Sequence, residues 1–155
     1  MTRLAIVMSI IATACLQAGT VYAESIVVSD GWVRASIGGA SNSAAYMVLT
    51  TEEDAPDRLT AVQTPVAERA ELHNHIMEDG IARMRQVEAI DVIPGEPMIL
   101  EPGGLHVMLI GLKEKLEPGA KLPLTLSFEQ AGDIEIELTV HSMNHRPKSH
   151  EHGKN

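Results

Sequence analysis

Residues 121–141 read KLPLTLSFEQAGDIEIELTVH. Two runs with an apolar residue at every second position, Leu122 to Phe128 and Ile134 to Val140, flank a turn containing Ala-Gly-Asp. Strict alternation is the mark of a strand with one buried and one solvated face. The pattern predicts a hairpin, Lys121–Phe128 with Asp133–His141, that closes the fold. Upstream, the same short alternating runs recur: SIVVSDGWVRAS, AAYMVLTT, DRLTAVQT, VAERAELHNHIM, GIARMRQVEAI, PMILEP and LHVMLIGL. Turn signals such as SIGGASNS, EEDAPD, EDG, IPGEP and EPGG separate them. No helical period persists beyond the N-terminal stretch, and many short strands in 155 residues imply one all-β domain, an antiparallel β-sandwich or barrel.

The N-terminal stretch does not belong to that domain. A basic residue, Arg3, precedes an apolar run and a small residue at Ala23, the pattern of a secretory signal peptide over residues 1–23. The run is shorter than the roughly 20 residues of a membrane span. The expected organisation is a leader (1–23), a β-sandwich domain (24–141) and a polar tail with His and Met (142–155). Cys15, in ATAC, forms only a weak lipoprotein box, so lipid anchoring there is the lesser alternative to cleavage after Ala23. Cleavage leaves a chain without cysteine, which excludes disulfides, thiolate ligands and a cysteine nucleophile. A formal charge of −9, with one Trp, two Tyr and one Phe, offers neither a basic patch nor a stacking platform for nucleic acid. No GxSxG, HExxH or Walker-type loop is present, so nothing points to an enzyme.

What stands out is the pairing of histidine with methionine. In GGLHVMLIGL (103–112), Leu105, Val107 and Leu109 give one aliphatic face, and His106 and Met108 lie together on the other. His73 and His75 share a face by the same rule, and HNHIMEDGIARM reads as a hairpin that returns Met84 beside them. A two-residue Asp79-Gly80 turn would set His75 opposite Met84; a four-residue loop would set His73 there instead. Methionine is a common core filler and a lone strand histidine is usually structural. Two His/Met pairs in one small exported domain favour a metal, and imidazole with thioether is a donor set suited to Cu(I).

The spacing His73-x10-Met84-x21-His106-x-Met108 resembles the signature of the periplasmic PCu(A)C copper chaperones. The likeness runs through GWVRAS, NSAAYMVLT, VAERAELH, ARMRQV and the whole of EPGGLHVMLIGLKEKLEPGAKLPLTLSFEQAGDIEIELTV, from about Ser25 to Val140. It implies a cupredoxin-like Greek-key β-sandwich that binds one Cu(I) through His73, Met84, His106 and Met108. It also implies copper delivery in the periplasm to the copper-centre subunit of cytochrome c oxidase, or to another copper carrier, by a monomer. Where many relatives have methionine, this chain has His75, which makes it an auxiliary ligand or a competitor of His73. The tail, with His141, Met143, His145, His150 and His152, could gather a second copper as Cu(II), or be an unpacked polar end; His141 could instead close the last strand. A storage or resistance protein, sequestering copper with core site and tail together, is the alternative function.

Overall fold

The computed structural model describes residues 26–36 and 38–145. The leader, Cys15, His150 and His152 lie outside the described residues. The described residues form ten strands: β1 (Ile26–Arg34), β2 (Asn42–Thr51), β3 (Asp57–Gln63), β4 (Ala67–Glu78), β5 (Ile81–Gln86), β6 (Ile90–Val92), β7 (Met98–Leu100), β8 (His106–Leu112), β9 (Lys121–Phe128) and β10 (Gly132–His141). No helix occurs among the described residues.

Hydrogen bonding joins nine strands in the order β5-β4-β8-β2-β1-β10-β9-β3-β6, with β7 on the far half of β2. β5 and β6 lie at opposite ends of this path, yet only residues 87–89 connect them. A flat sheet of nine strands would hold its ends about 38 Å apart. Three linking residues reach roughly 14 Å at most. The ladder therefore curls over, and its two halves face one another across a shared core, as expected of a sandwich. Leu72, Val107, Leu109, Ala45 and Met47 from one half join Leu59, Leu122, Leu124, Leu126 and Leu138 from the other in one buried cluster.

The closing hairpin pairs Gly132 with Phe128 through to Thr139 with Lys121. Its alternation is realised: Leu122, Leu124, Leu126 and Phe128 are all buried. Two details differ from the sequence reading. GIARMRQVEAI is not one strand but two, because Val87 still donates to Leu72 O on β4 while Ile90 and Val92 cross over to pair with β3 and enter the core. The sheet is also not wholly antiparallel: β1 runs parallel to β10, with Trp32 beside Thr139 and Arg34 beside His141. A bulge in β1 between Ser29 and Trp32 accompanies this pairing. Gly31 sits there against the Leu138 side chain, whose Cδ2 would have to move to admit a Cβ.

β2 is buried on both faces. Ala45, Met47 and Leu49 enter the main core, while Ala44 and Tyr46 pack with Trp32 in a second, smaller cluster on the outer face. That outer cluster floors the site described below.

Asp57 is buried, and its carboxylate accepts from the backbone N–H groups of Arg58, Gln130 and Ala131. It thereby fastens β3 to the β9–β10 turn. Asp57→Ala strands these donors and is expected to lower stability by about 2–4 kcal/mol, read as a lower urea midpoint at unchanged m.

Candidate metal centre

The β4–β5 turn settles the register that sequence left open. Asp79 and Gly80 both have positive φ, 53° and 78°, the conformation of a two-residue type I′ turn. Glu78 therefore faces Ile81, and His75 faces Met84. On the other side of β4, His73 pairs directly with His106 and Glu71 with Met108. β2 continues the row, with Ala44 beside Met108.

These registers form a small lattice on the outer face. His73 and His106 are opposed at its centre. Met84 lies one step along in the row of His75, and Met108 one step the other way in the row of Glu71. All four expected donors therefore project from one patch of three adjacent strands. Beneath it, Val107 and Leu109 anchor β8 in the core, fully buried.

Hydrogen bonds fix which nitrogens are free. His106 is 2 % exposed, and its Nδ1 lies 2.9 Å from Gly104 O. A carbonyl only accepts, so Nδ1 carries the proton and Nε2 keeps its lone pair. The same carbonyl accepts from the backbone N–H of His75. His73 Nε2 lies 2.9 Å from Glu71 Oε2; a carboxylate accepts, so Nε2 donates and Nδ1 is the ring nitrogen left over. The Nδ1 atoms of His73 and His75 are both buried without a hydrogen-bond partner. Buried nitrogen lone pairs without a donor are costly, and a metal ion would satisfy them. The rings are close: centroids lie 5.2 Å apart for His75 and His106 and 6.0 Å for His73 and His106.

A cleft of about 500 Å³ opens over this patch. His75, Met84, His106 and Met108 line it, with Ala44 and Tyr46 as floor and Arg34 and Met143 at its sides. His73 is not among the lining residues; its ring is hydrogen-bonded to Glu71. Its orientation still suits a ligand, since metal-binding histidines usually donate their second nitrogen to a carboxylate or a carbonyl. His73 and His106 both have such a partner. Among the described residues, no three His, Cys, Asp or Glu side chains are grouped to hold a metal. The soft donors that line the cleft are the thioethers of Met84 and Met108, the ligand type that selects Cu(I).

Burial pushes the His106 imidazole below its ordinary pKa; the Gly104 hydrogen bond opposes this, and His75, His73 and Arg34 add to the lowering. The folded protein thus takes up this proton less readily than the unfolded chain. Stability from this group is complete above the unfolded value of about 6.5 and is lost as pH falls from there through the lowered folded value. Urea midpoints of metal-free protein are expected to drop between pH 7 and 5, and a His106→Gln variant is expected to lose part of that drop.

The tail begins with a turn. His141 ends β10, and the turn closes with His145 N–H donating to Ser142 O at 3.0 Å. The His145 ring meets Trp32 edge-on with centroids 4.8 Å apart, and the centroids of His141 and His145 lie 4.0 Å apart. Ser142, Met143 and Asn144 are exposed, as an unpacked end would be, while His145 is half-buried against the indole. Arg34, 5.5 Å above the Tyr46 ring, was not singled out in the sequence, and nothing local marks it. Glu71 was also missed, although its place two residues before His73 puts both on one strand face.

A protein-family profile described as "Putative lipoprotein LpqE-like" matches residues 26–140. The chain belongs to this LpqE-like family. Its structural neighbours are PCuAC domains, in agreement with the resemblance carried by the His/Met spacing. The copper-bound PCuAC domain of PmoF2 superposes on the LpqE-like domain with a TM-score of 0.66 at 27% identity, over 76% of this chain and 93% of that one. The Cu(I) form of DR1885 from Deinococcus radiodurans gives 0.63 at 29% identity, over 82% and 85%. Among curated sequences, "Putative lipoprotein Lxx21020" of Leifsonia xyli is 29% identical over 119 residues, 76% of this chain and 70% of that protein. The cupredoxin-like architecture of the LpqE-like domain is thus shared with domains solved both with and without copper.

Proposed function

We propose that this protein is a periplasmic copper chaperone that carries one Cu(I) between His73, Met84, His106 and Met108 and passes it to the copper centre of cytochrome c oxidase. The observation that carries the reading is the opposed pair His73–His106, each ring with one nitrogen tied and the other free, flanked diagonally by Met84 and Met108. The copper-bound PmoF2 domain and Cu(I)-DR1885, similar in fold and sequence, support copper as the cargo. Two neutral imidazoles and two thioethers hold Cu(I) without a thiol that an oxidising compartment would consume.

Release follows from the same geometry. Met84 stands on the edge strand β5, all of whose residues are exposed, and its side chain is 42 % exposed. An incoming ligand from a partner meets the copper from that side, and the flexible thioether swings away without backbone movement. The step is ligand exchange, with no turnover of substrate. Export through residues 1–23 brings the protein to the compartment where the acceptor lies. The lipoprotein description of the family raises the alternative of an anchor at Cys15. His141 and His145 are the imidazoles round which a second copper, as Cu(II), would gather with the rest of the tail.

The test is transfer. Cu(I)-loaded protein mixed with the metal-free soluble domain of an oxidase copper-centre subunit is expected to yield the copper-loaded acceptor. Copper retained on the carrier, at an acceptor concentration well above its own, would contradict delivery to this partner.

A further inference from the structure

Met143 lies outside the strand that ends at His141, in the tail that the sequence offers either as donors for a second copper or as an unpacked polar end. Yet its side chain lines the same cleft as Met84, Met108 and His106. It is not part of the buried core and remains 47 % exposed. The turn on which it sits positions it. The Ser142–His145 turn is closed by a backbone hydrogen bond, and His145 at its end rests on Trp32, which in turn packs on Tyr46 with centroids 4.6 Å apart. The Tyr46 and His106 ring centroids lie 6.3 Å apart. The post-strand turn is therefore braced on the aromatic residues beside the cleft, and the brace keeps the Met143 thioether in its lining.

We infer that Met143 is a third sulfur donor of the copper site, supplied by the C-terminal turn and held in position by the His145–Trp32 contact. This rests on the Cu(I) reading of the His73, Met84, His106, Met108 patch. A half-exposed methionine on a polar segment contributes little to folding, but thioether affinity for Cu(I) gives it a reason to face the cleft. In this arrangement an acceptor's ligand still enters on the Met84 side, and Met143 is a further sulfur bond that must break before the ion leaves. Met143 slows release, and the paired strands hold the ion.

The experiment uses the full exported protein loaded with one equivalent of Cu(I). Met143→Leu keeps the volume and removes the sulfur. X-ray absorption is expected to find one sulfur scatterer fewer than in the wild type, and transfer to a chromophoric Cu(I) chelator is expected to be about tenfold faster. His145→Ala, which leaves every donor of the Cu(I) patch and Met143 in place, is expected to speed transfer by a smaller factor and to shift Trp32 emission to the red, Trp32 being the chain's one tryptophan. Unchanged sulfur count and transfer rate in Met143→Leu would overturn the inference while leaving the four-donor site intact. A wild type that takes up no Cu(I), or a Met84→Leu/Met108→Leu variant that binds it as well as the wild type does, overturns the four-donor site itself and this inference with it.

Discussion

Met84→Leu combined with Met108→Leu is expected to abolish tight Cu(I) binding while leaving the fold unchanged. Leucine matches methionine in volume, and both positions are on the outer face, away from the main core. The hydrophobic terms therefore change little. What disappears is the pair of soft donors, leaving imidazoles that suit Cu(II) or Zn(II) as well as Cu(I). Loss of a group that only orients a ligand already costs about 10–100-fold in metal affinity, so loss of two ligands is expected to exceed about 100-fold. Competition against a Cu(I) chelator of known affinity measures this, and far-ultraviolet circular dichroism with urea midpoints shows that the fold persists. An affinity within a few-fold of wild type would remove the thioethers from the site.

The second large effect separates the two histidines of β4. His73→Ala is expected to weaken Cu(I) by about 100-fold, and Glu71→Ala, which frees the ring without removing it, by about tenfold. His75→Ala is expected to cost less than His73→Ala, even though His75 lines the cleft and His73 does not. The reason is orientation: Glu71 holds His73 by Nε2 and leaves Nδ1 buried and unpartnered, whereas no carboxylate or carbonyl partner is seen for the His75 ring. The reverse ranking would make His75 the ligand and Glu71–His73 a surface ion pair.

The strands were legible in the sequence as short apolar-containing runs between turn signals, and the closing hairpin most clearly because its alternation is nearly unbroken. Leu122, Leu124, Leu126 and Phe128 are all inward, whereas β2 is buried on both faces and β5 is exposed throughout. The crossing from β5 to β6 was not legible. Val87 and Ile90 are both apolar and three residues apart, and only the path of the chain shows that they serve opposite ends of the ladder. The parallel pairing of β1 with β10 was hidden for the same reason, since pairing direction leaves no mark on a single strand.

The donor patch was legible through spacing, and the choice of hairpin register followed from Asp79-Gly80 once its positive φ angles were known. What sequence could not supply were the partners that orient the donors. Gly104 contributes a carbonyl, which any residue would provide, and its role depends on the place where the chain enters β8. Met143 reaches the cleft only through the Trp32 contact, 111 positions away along the chain. Such long-range placement has no local signature.

The central claim is that one Cu(I) binds in the His73–Met84–His106–Met108 patch. Nuclear magnetic resonance of full exported protein carrying 13C-labelled methionine methyls and 15N-labelled histidine rings tests it most directly, during titration with Cu(I) under reducing conditions. The account predicts that the methyls of Met84 and Met108 and the free nitrogens of His73 and His106 shift together and saturate at one equivalent, while Met77 and Met98 stay in place. Shifts confined to the tail histidines, with Met84 and Met108 unmoved at one equivalent, would contradict it.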